Sequence, residues 1–245
     1  MTQPSPDPPS RATADPDRPA PVLVTGASGA LGTAVRARLA TTGRPIAALV
    51  RSPEEADALR SAGTWARAVD LLDEASVADA VDDAHRDLGA PAGALLLAGG
   101  FAMAPAADAD LRALRAQWDV NVATAASVVR ALVPVLRANG GGTLVGVAAG
   151  QARRGGAKAA PYASAKAALA TYLRAVDEEL APDGVRATVV FPMGTLDTAA
   201  NRRAMPEADP AGWIDPAVLA EVLVHAVALG PRGRWREVEV HPDAR

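Results

Sequence analysis

Tyr162 and Lys166 stand four residues apart in the run PYASAK, 161–166, a spacing that puts both on one face of a helix. A phenol ordinarily keeps its proton until about pH 10, and an ammonium beside it favours the phenolate and lowers that value. Such a pair can give or take a proton near neutrality, the general acid–base step that carbonyl or imine reduction requires. Alone, Y-x-x-x-K also describes any exposed helical pair, so its meaning rests on the elements that carry it.

Those elements are read from the apolar runs and their breaks. Val22–Val24 is a short apolar strand, followed by TGASGALG (25–32) and a helical pattern to about Thr42. Strands are expected at 46–50, just before Asp70, at 94–97, 143–147, 185–191 and 235–240. Helices are expected after Ser52 through Arg60 and over 74–88, 108–138, 161–181 and 216–229. The Asn139-Gly-Gly-Gly run stops the long helix, Pro134 kinks its last turns, and Pro161 suits a first helical turn. Strands alternating with helices imply parallel pairing through crossovers, and strand runs without polar alternation imply burial on both faces. The fold class is α/β: one doubly wound Rossmann domain of about seven parallel strands, residues 21–245, with helices on both faces.

Within that frame Gly26-x-x-Gly29-x-x-Gly32 lies between the first strand and the first helix. The first glycine allows the tight turn, the second the approach of a pyrophosphate, and the third close helix–sheet packing. The helix N-terminus then offers free N–H groups and partial positive charge to phosphates. A dinucleotide is the implied ligand. An acid about 20 residues on would bond the ribose 2′-hydroxyl of NAD(H), but the second strand ends at Val50-Arg51-Ser52. Arg51 offers charge-assisted bonds and Ser52 a hydroxyl to a 2′-phosphate, so NADP(H) is preferred and NAD(H) remains open.

Over residues 21–245 the sequence resembles the short-chain dehydrogenase/reductase family. The residues that carry the likeness are TGASGALG, Asp70-Leu71, LAGG at 97–100, Asn121, YASAK at 162–166, and Pro192 to Thr198. The resemblance implies Tyr162 as acid/base, Lys166 holding the nicotinamide ribose, and Asn121 supporting a proton-relay water. It places Gly26, Ser28, Gly29, Ala30, Leu31 and Gly32 on the pyrophosphate, Asp70 and Leu71 at the adenine, and Ala98, Gly99 and Gly100 along the cofactor. Pro192, Thr195 and Thr198 fall at its carboxamide or phosphate end. The family's substrate-polarising serine, 13 positions before the tyrosine, is here Ala149, and losing such a donor can remove about 3 kcal/mol of transition-state stabilisation.

A narrower resemblance is to the dihydropteridine reductase-like members, which also lack that serine. It rests on GASGALG, LAGGFA and the stretch from Thr195 to Trp213. Those members reduce a quinonoid ring, a reaction that demands less oxyanion stabilisation. Three departures stand against it: Arg51 replaces an acid, Asn121 is retained, and Pro192-Met193-Gly194 carries an extra residue. The substrate pocket implied is Phe101, Ala149, Met193, Met205 and Trp213, the last placed to wall a flat substrate. The reading is an NAD(P)H-dependent reductase of a conjugated imine, quinonoid or carbonyl compound. The alternatives are a noncatalytic NADP(H) sensor and a nonredox isomerase or cyclase.

Composition narrows the remaining classes. The formal charge of −3 gives no basic surface for nucleic acid. There is no cysteine for disulfides, thiolate chemistry or a Cys-based zinc site, and His85, His225 and His241 lie far apart in sequence with no metal-ligand spacing. Trp118 and Trp235 read as packing anchors. Residues 1–20, rich in Pro, Asp, Ser and Arg, read as a disordered tail. With no apolar leader and no long apolar run, the expectation is a cytoplasmic protein with a small-molecule substrate and no membrane partner. The Ala-rich 108–138 and 162–181 segments match those that form the family's oligomer interface, implying a homodimer or homotetramer.

Overall fold

The structure is a computed structural model that describes residues 19–230 and 233–243. The tail expected at 1–20 lies almost wholly outside the described residues. Seven strands, β1 (Val22–Thr25), β2 (Ile46–Val50), β3 (Trp65–Ala68), β4 (Gly93–Leu96), β5 (Gly142–Val147), β6 (Val185–Pro192) and β7 (Glu237–Val240), form one sheet. Every pairing is parallel and the order is β3-β2-β1-β4-β5-β6-β7. The chain therefore winds outward in one direction from β1 to β3 and in the other from β4 to β7. The crevice between the C-terminal ends of β1 and β4 is the switch point where open α/β sheets bind ligands.

Two apolar layers cover the sheet. On one face α1 (Ala30–Ala40), α2 (Pro53–Ser61) and α9 (Pro216–Ala228) bury Val35, Leu39, Leu59, Leu219 and Leu223 against Val22, Val24 and Leu95. On the other, α3 (Glu74–Leu88), α5 (Thr124–Ala138) and α7 (Ala160–Leu180) bury Val77, Leu132, Leu136, Leu169 and Leu173 against Leu23, Leu144 and Phe191. Burial on both faces accounts for the unbroken apolar strands. Asp177, only 2% exposed, ties α7 to the sheet edge: its Oδ1 accepts from the Ala187 N–H at 3.0 Å, and Oδ2 faces Arg234 and Arg236.

The expected helix over 108–138 is instead three pieces. Asp110 caps α4 (Leu111–Trp118) by accepting from the Ala113 N–H; a π turn follows at Asp119–Ala123, and α5 runs through Pro134 to Ala138. The irregularity thus falls at Asn121, where a side-chain amide takes the carbonyl of Gln117 at 3.0 Å and the backbone ladder widens by one residue. By length and apolarity the stretch Leu111–Ala138 could cross a membrane, but half of its apolar 18-residue window is buried in the fold; Val128, Leu132 and Leu136 lie fully inside the core.

Among the described residues four smaller elements escape the sequence pattern: α6 (Gly150–Arg154), α8 (Ala199–Ala204) and 3-10 turns at Ala181–Asp183 and Pro210–Gly212. The expected strand at 235–240 is shorter, beginning at Glu237. Trp118 is not a packing anchor, since about half its surface is exposed. Trp235 is also exposed and lies against His225, with ring centroids 4.8 Å apart.

Candidate active site

The turn after β1 is shaped by backbone contact. Gly26 has φ +63°, and a Cβ there would sit 3.0 Å from the Ala98 nitrogen, so the turn packs on the backbone beyond β4 as only glycine allows. At Gly32 a Cβ would lie 2.3 Å from the Gly26 carbonyl oxygen, which sets how closely α1 approaches the turn. The first turn of α1 has neither a side-chain cap nor an acid, so the N–H groups of Ala30, Leu31 and Gly32 face outward without competition. A pyrophosphate fits this cradle.

Thr25, at the end of β1, is a residue that sequence reading passed over. Its Oγ1 accepts from the Leu97 and Ala98 N–H groups, both at 3.0 Å, and the side chain is 1% exposed. It pins the two lips of the crevice together. Thr25→Val keeps the shape and leaves the part-buried Ala98 N–H without its acceptor, so we expect a loss of about 1 kcal/mol in denaturant unfolding. A change below about 0.5 kcal/mol would show that the bridge adds nothing.

Beyond β4, Gly99 lies where Asn121 and Lys166 converge. A Cβ at Gly99 would be 2.8 Å from Asn121 Oδ1 and 3.2 Å from Lys166 Nζ. Asn121 is fully buried; its amide donates to the Gly100 carbonyl at 3.0 Å and its Oδ1 accepts from the Gly100 N–H at 3.2 Å. The π turn is thereby clasped to the loop after β4.

Pro161 lies in the first turn of α7, and Tyr162 and Lys166 follow on one face. Lys166 is 7% exposed and donates to the Val147 carbonyl at 2.8 Å. Burial pulls its ammonium down to about 8 and pushes the half-buried Tyr162 phenol up to about 12. The expected lowering of the phenol by its neighbour is therefore reversed. Nζ stands 6.0 Å from the phenol ring centroid and is aimed at Val147, so withdrawal from water outweighs its charge. The edge of one ring meets the face of the other where Phe101, half exposed, contacts Tyr162 at 4.8 Å.

Ala149 is buried at the start of α6, which has no side-chain cap. Arg154, one turn on, donates to the Met193 carbonyl at 3.2 Å. Thr195 and Asp197 bond the backbone of Ile214, which brings Trp213 beside them, while Thr198 caps α8 by accepting from the Asn201 N–H. Met205 ends α8, partly exposed. At the far end, Asp70 Oδ1 accepts from the Leu72 N–H and Leu71 packs on the core. Arg51 is 90% exposed and pairs at 3.3 Å with Glu55, a second residue that sequence reading missed. Ser52 caps α2 by accepting from the Glu55 N–H at 3.3 Å. Among the described residues no cluster of His, Cys, Asp or Glu could hold a metal ion.

A parallel sheet that reverses direction beside its first strand, with a glycine turn and a bare helix end at the reversal, defines a dinucleotide-binding protein of the Rossmann class. The chain belongs to the short-chain dehydrogenase/reductase family: the short chain dehydrogenase family model matches residues 20–209. It is 34% identical over 194 residues to an uncharacterised oxidoreductase of Myxococcus xanthus, covering 75% of this chain and 76% of that protein. It is 29% identical over 179 residues to a 2-dehydro-3-deoxy-L-rhamnonate dehydrogenase (NAD(+)) of a Sphingomonas species, covering 69% and 70%. The NADPH-bound structure of a short-chain oxidoreductase from Pseudomonas aeruginosa, described as containing an atypical catalytic centre, has the same fold. Its TM-score is 0.81 at 22% identity, covering 91% of this chain and 97% of that one. The protein is an oxidoreductase of this family, and a nicotinamide dinucleotide is the cofactor that family and fold support.

Proposed function

We propose that the protein is an NAD(P)H-dependent reductase of a conjugated imine, quinonoid or carbonyl compound, with Tyr162 as proton donor and Lys166 as its partner. The observation that carries this reading is the convergence at Gly99: a buried ammonium, a buried amide and the phenol-bearing helix meet beside the glycine turn. A bound nicotinamide supplies the hydride. Tyr162, its phenol held protonated far above neutrality, gives a proton to the atom that gains negative charge. Lys166 and Asn121 hold the ribose side and the proton path. Ala149 leaves only Tyr162 to polarise the acceptor, which suits a substrate whose own conjugation spreads the charge and favours a dihydropteridine reductase-like role. Phe101, Met193, Met205 and Trp213 are the pocket walls in this reading. The test is cofactor oxidation with ketones, imines and quinonoid dihydropterin, run with NADH and with NADPH. Tight cofactor binding without turnover on any of them would favour the sensor instead.

Cofactor preference follows from Arg51. Its guanidinium is exposed at the end of β2, where a 2′-phosphate would lie. Arg51→Asp should weaken NADPH roughly ten- to a hundredfold, the worth of one hydrogen bond to a charged group, with a far smaller effect on NADH. Equal effects in a fluorescence titration would remove Arg51 as the selector. The protein acts in the cytoplasm in this reading, as a homodimer or homotetramer. Leu111, Leu114 and Trp118 make an exposed apolar stripe along α4, at spacings that share one helix face. Light scattering should give at least twice the monomer mass, falling to the monomer in Leu111→Asp/Leu114→Asp. A wild-type monomer would overturn the assembly.

A further inference from the structure

The first turn of α2 carries an acid that the end of β2 itself lacks. Glu55 Oε2 accepts from the Arg51 N–H at 3.0 Å, and its Oε1 pairs with Arg51 Nη2 at 3.3 Å. The Glu55 N–H in turn donates to the Ser52 hydroxyl. Ser28, in the phosphate loop, also bears on this carboxylate and, with the Arg51 N–H ahead of it, holds it below the usual carboxylate range. Glu55 is thus a fixed negative charge, 27% exposed, between the glycine loop and the one cation assigned to a 2′-phosphate.

We infer that Glu55 is a specificity-determining residue that opposes the 2′-phosphate: it occupies the Arg51 guanidinium, so a phosphorylated ribose must displace a carboxylate to gain that contact. The inference rests on the reading that Arg51 meets the 2′-phosphate. Two further considerations support it. A dianionic phosphate and a carboxylate cannot share one guanidinium without mutual repulsion, whereas a ribose 2′-hydroxyl can donate to Glu55 directly. Arg51 is 90% exposed, so its pairing with Glu55 sits in high dielectric and is weak enough to be displaced. The two residues together make a site that accepts both dinucleotides, with Arg51 pulling toward NADPH and Glu55 toward NADH.

The test is a double-mutant cycle read by NADPH and NADH titration at low ionic strength, using wild type, Glu55→Gln, Arg51→Ala and the double variant. Glutamine keeps an acceptor for the Arg51 N–H and removes only the charge, and the thermal midpoint of each variant checks that the turn is intact. Glu55→Gln should raise the preference for NADPH over NADH about tenfold. That gain should shrink at high salt, which screens exposed charges, and should vanish in the Arg51→Ala background. An unchanged preference in Glu55→Gln, with Arg51→Ala lowering it, would overturn the role of Glu55 and leave Arg51 as selector. If Arg51→Ala leaves the preference unchanged, the Arg51 reading fails and this one falls with it. A gain that persists without Arg51 would overturn the competition for its guanidinium.

Discussion

Tyr162→Phe is expected to leave cofactor affinity within about twofold and to lower turnover at saturating cofactor by 10²–10⁴-fold, the range that general acid catalysis supplies. The ring stays, so its edge contact with Phe101 and its place on α7 survive. Only the proton is lost, and no serine stands at position 149 to cover for it. Ala149→Ser is the matching contrast. At the start of α6 a hydroxyl would find an uncapped helix end and, in the proposed reading, the substrate. On a conjugated imine or quinonoid ring it should change the rate by less than about threefold, whereas on a simple ketone it can restore part of the roughly 3 kcal/mol that a missing donor removes. Full turnover by Tyr162→Phe on an identified substrate would sink the mechanism and leave hydride delivery without a protein acid.

Much of this molecule is legible in its sequence because its strongest signals are backbone demands. Gly26 and Gly32 are needed where an added Cβ would come within 3.0 and 2.3 Å of neighbouring backbone, and such constraints leave glycine in fixed places between an apolar run and a helix. The parallel order follows from alternating elements, and Tyr162 with Lys166 from helical spacing. What stayed hidden depends on distance in space. Thr25 reads as one more strand residue until β4 is beside it. Glu55 reads as an ordinary first-turn acid until Arg51 and Ser28 face it. The π turn at Asn121 has no periodicity of its own; it arises because Gly100 and Gln117 both engage that amide. The direction of the Tyr162 shift is hidden for the same reason. Spacing puts a cation near the phenol, but only burial says that both groups have left water.

That burial gives Lys166 a distinctive signature. Its pKa is near 10.5 when unfolded and is pulled to about 8 by the folded site. Between those values the unfolded chain holds a proton that the folded chain lacks, so this group's contribution to stability rises as pH climbs from about 8 to 10.5. Below about 8 the folded state carries the whole penalty of a buried charge, about 3 kcal/mol. Lys166→Met should therefore cost no stability at pH 7. It removes that penalty and gives up one charged bond to the Val147 carbonyl, worth about 1.5–3 kcal/mol. The thermal midpoint should hold or rise by a few degrees, with the difference from wild type shrinking between pH 8 and 10.5. Activity should move the other way, with turnover falling about 100-fold or more and cofactor binding about tenfold, since the ammonium is assigned both ribose and proton path. In the wild type, reduction should stay level through pH 7 and decline above about 8 as the ammonium loses its proton, well before the phenol does. A fall of several degrees in the midpoint of Lys166→Met at pH 7, with turnover lost only in proportion to unfolding, would show instead that the ammonium is a structural strut.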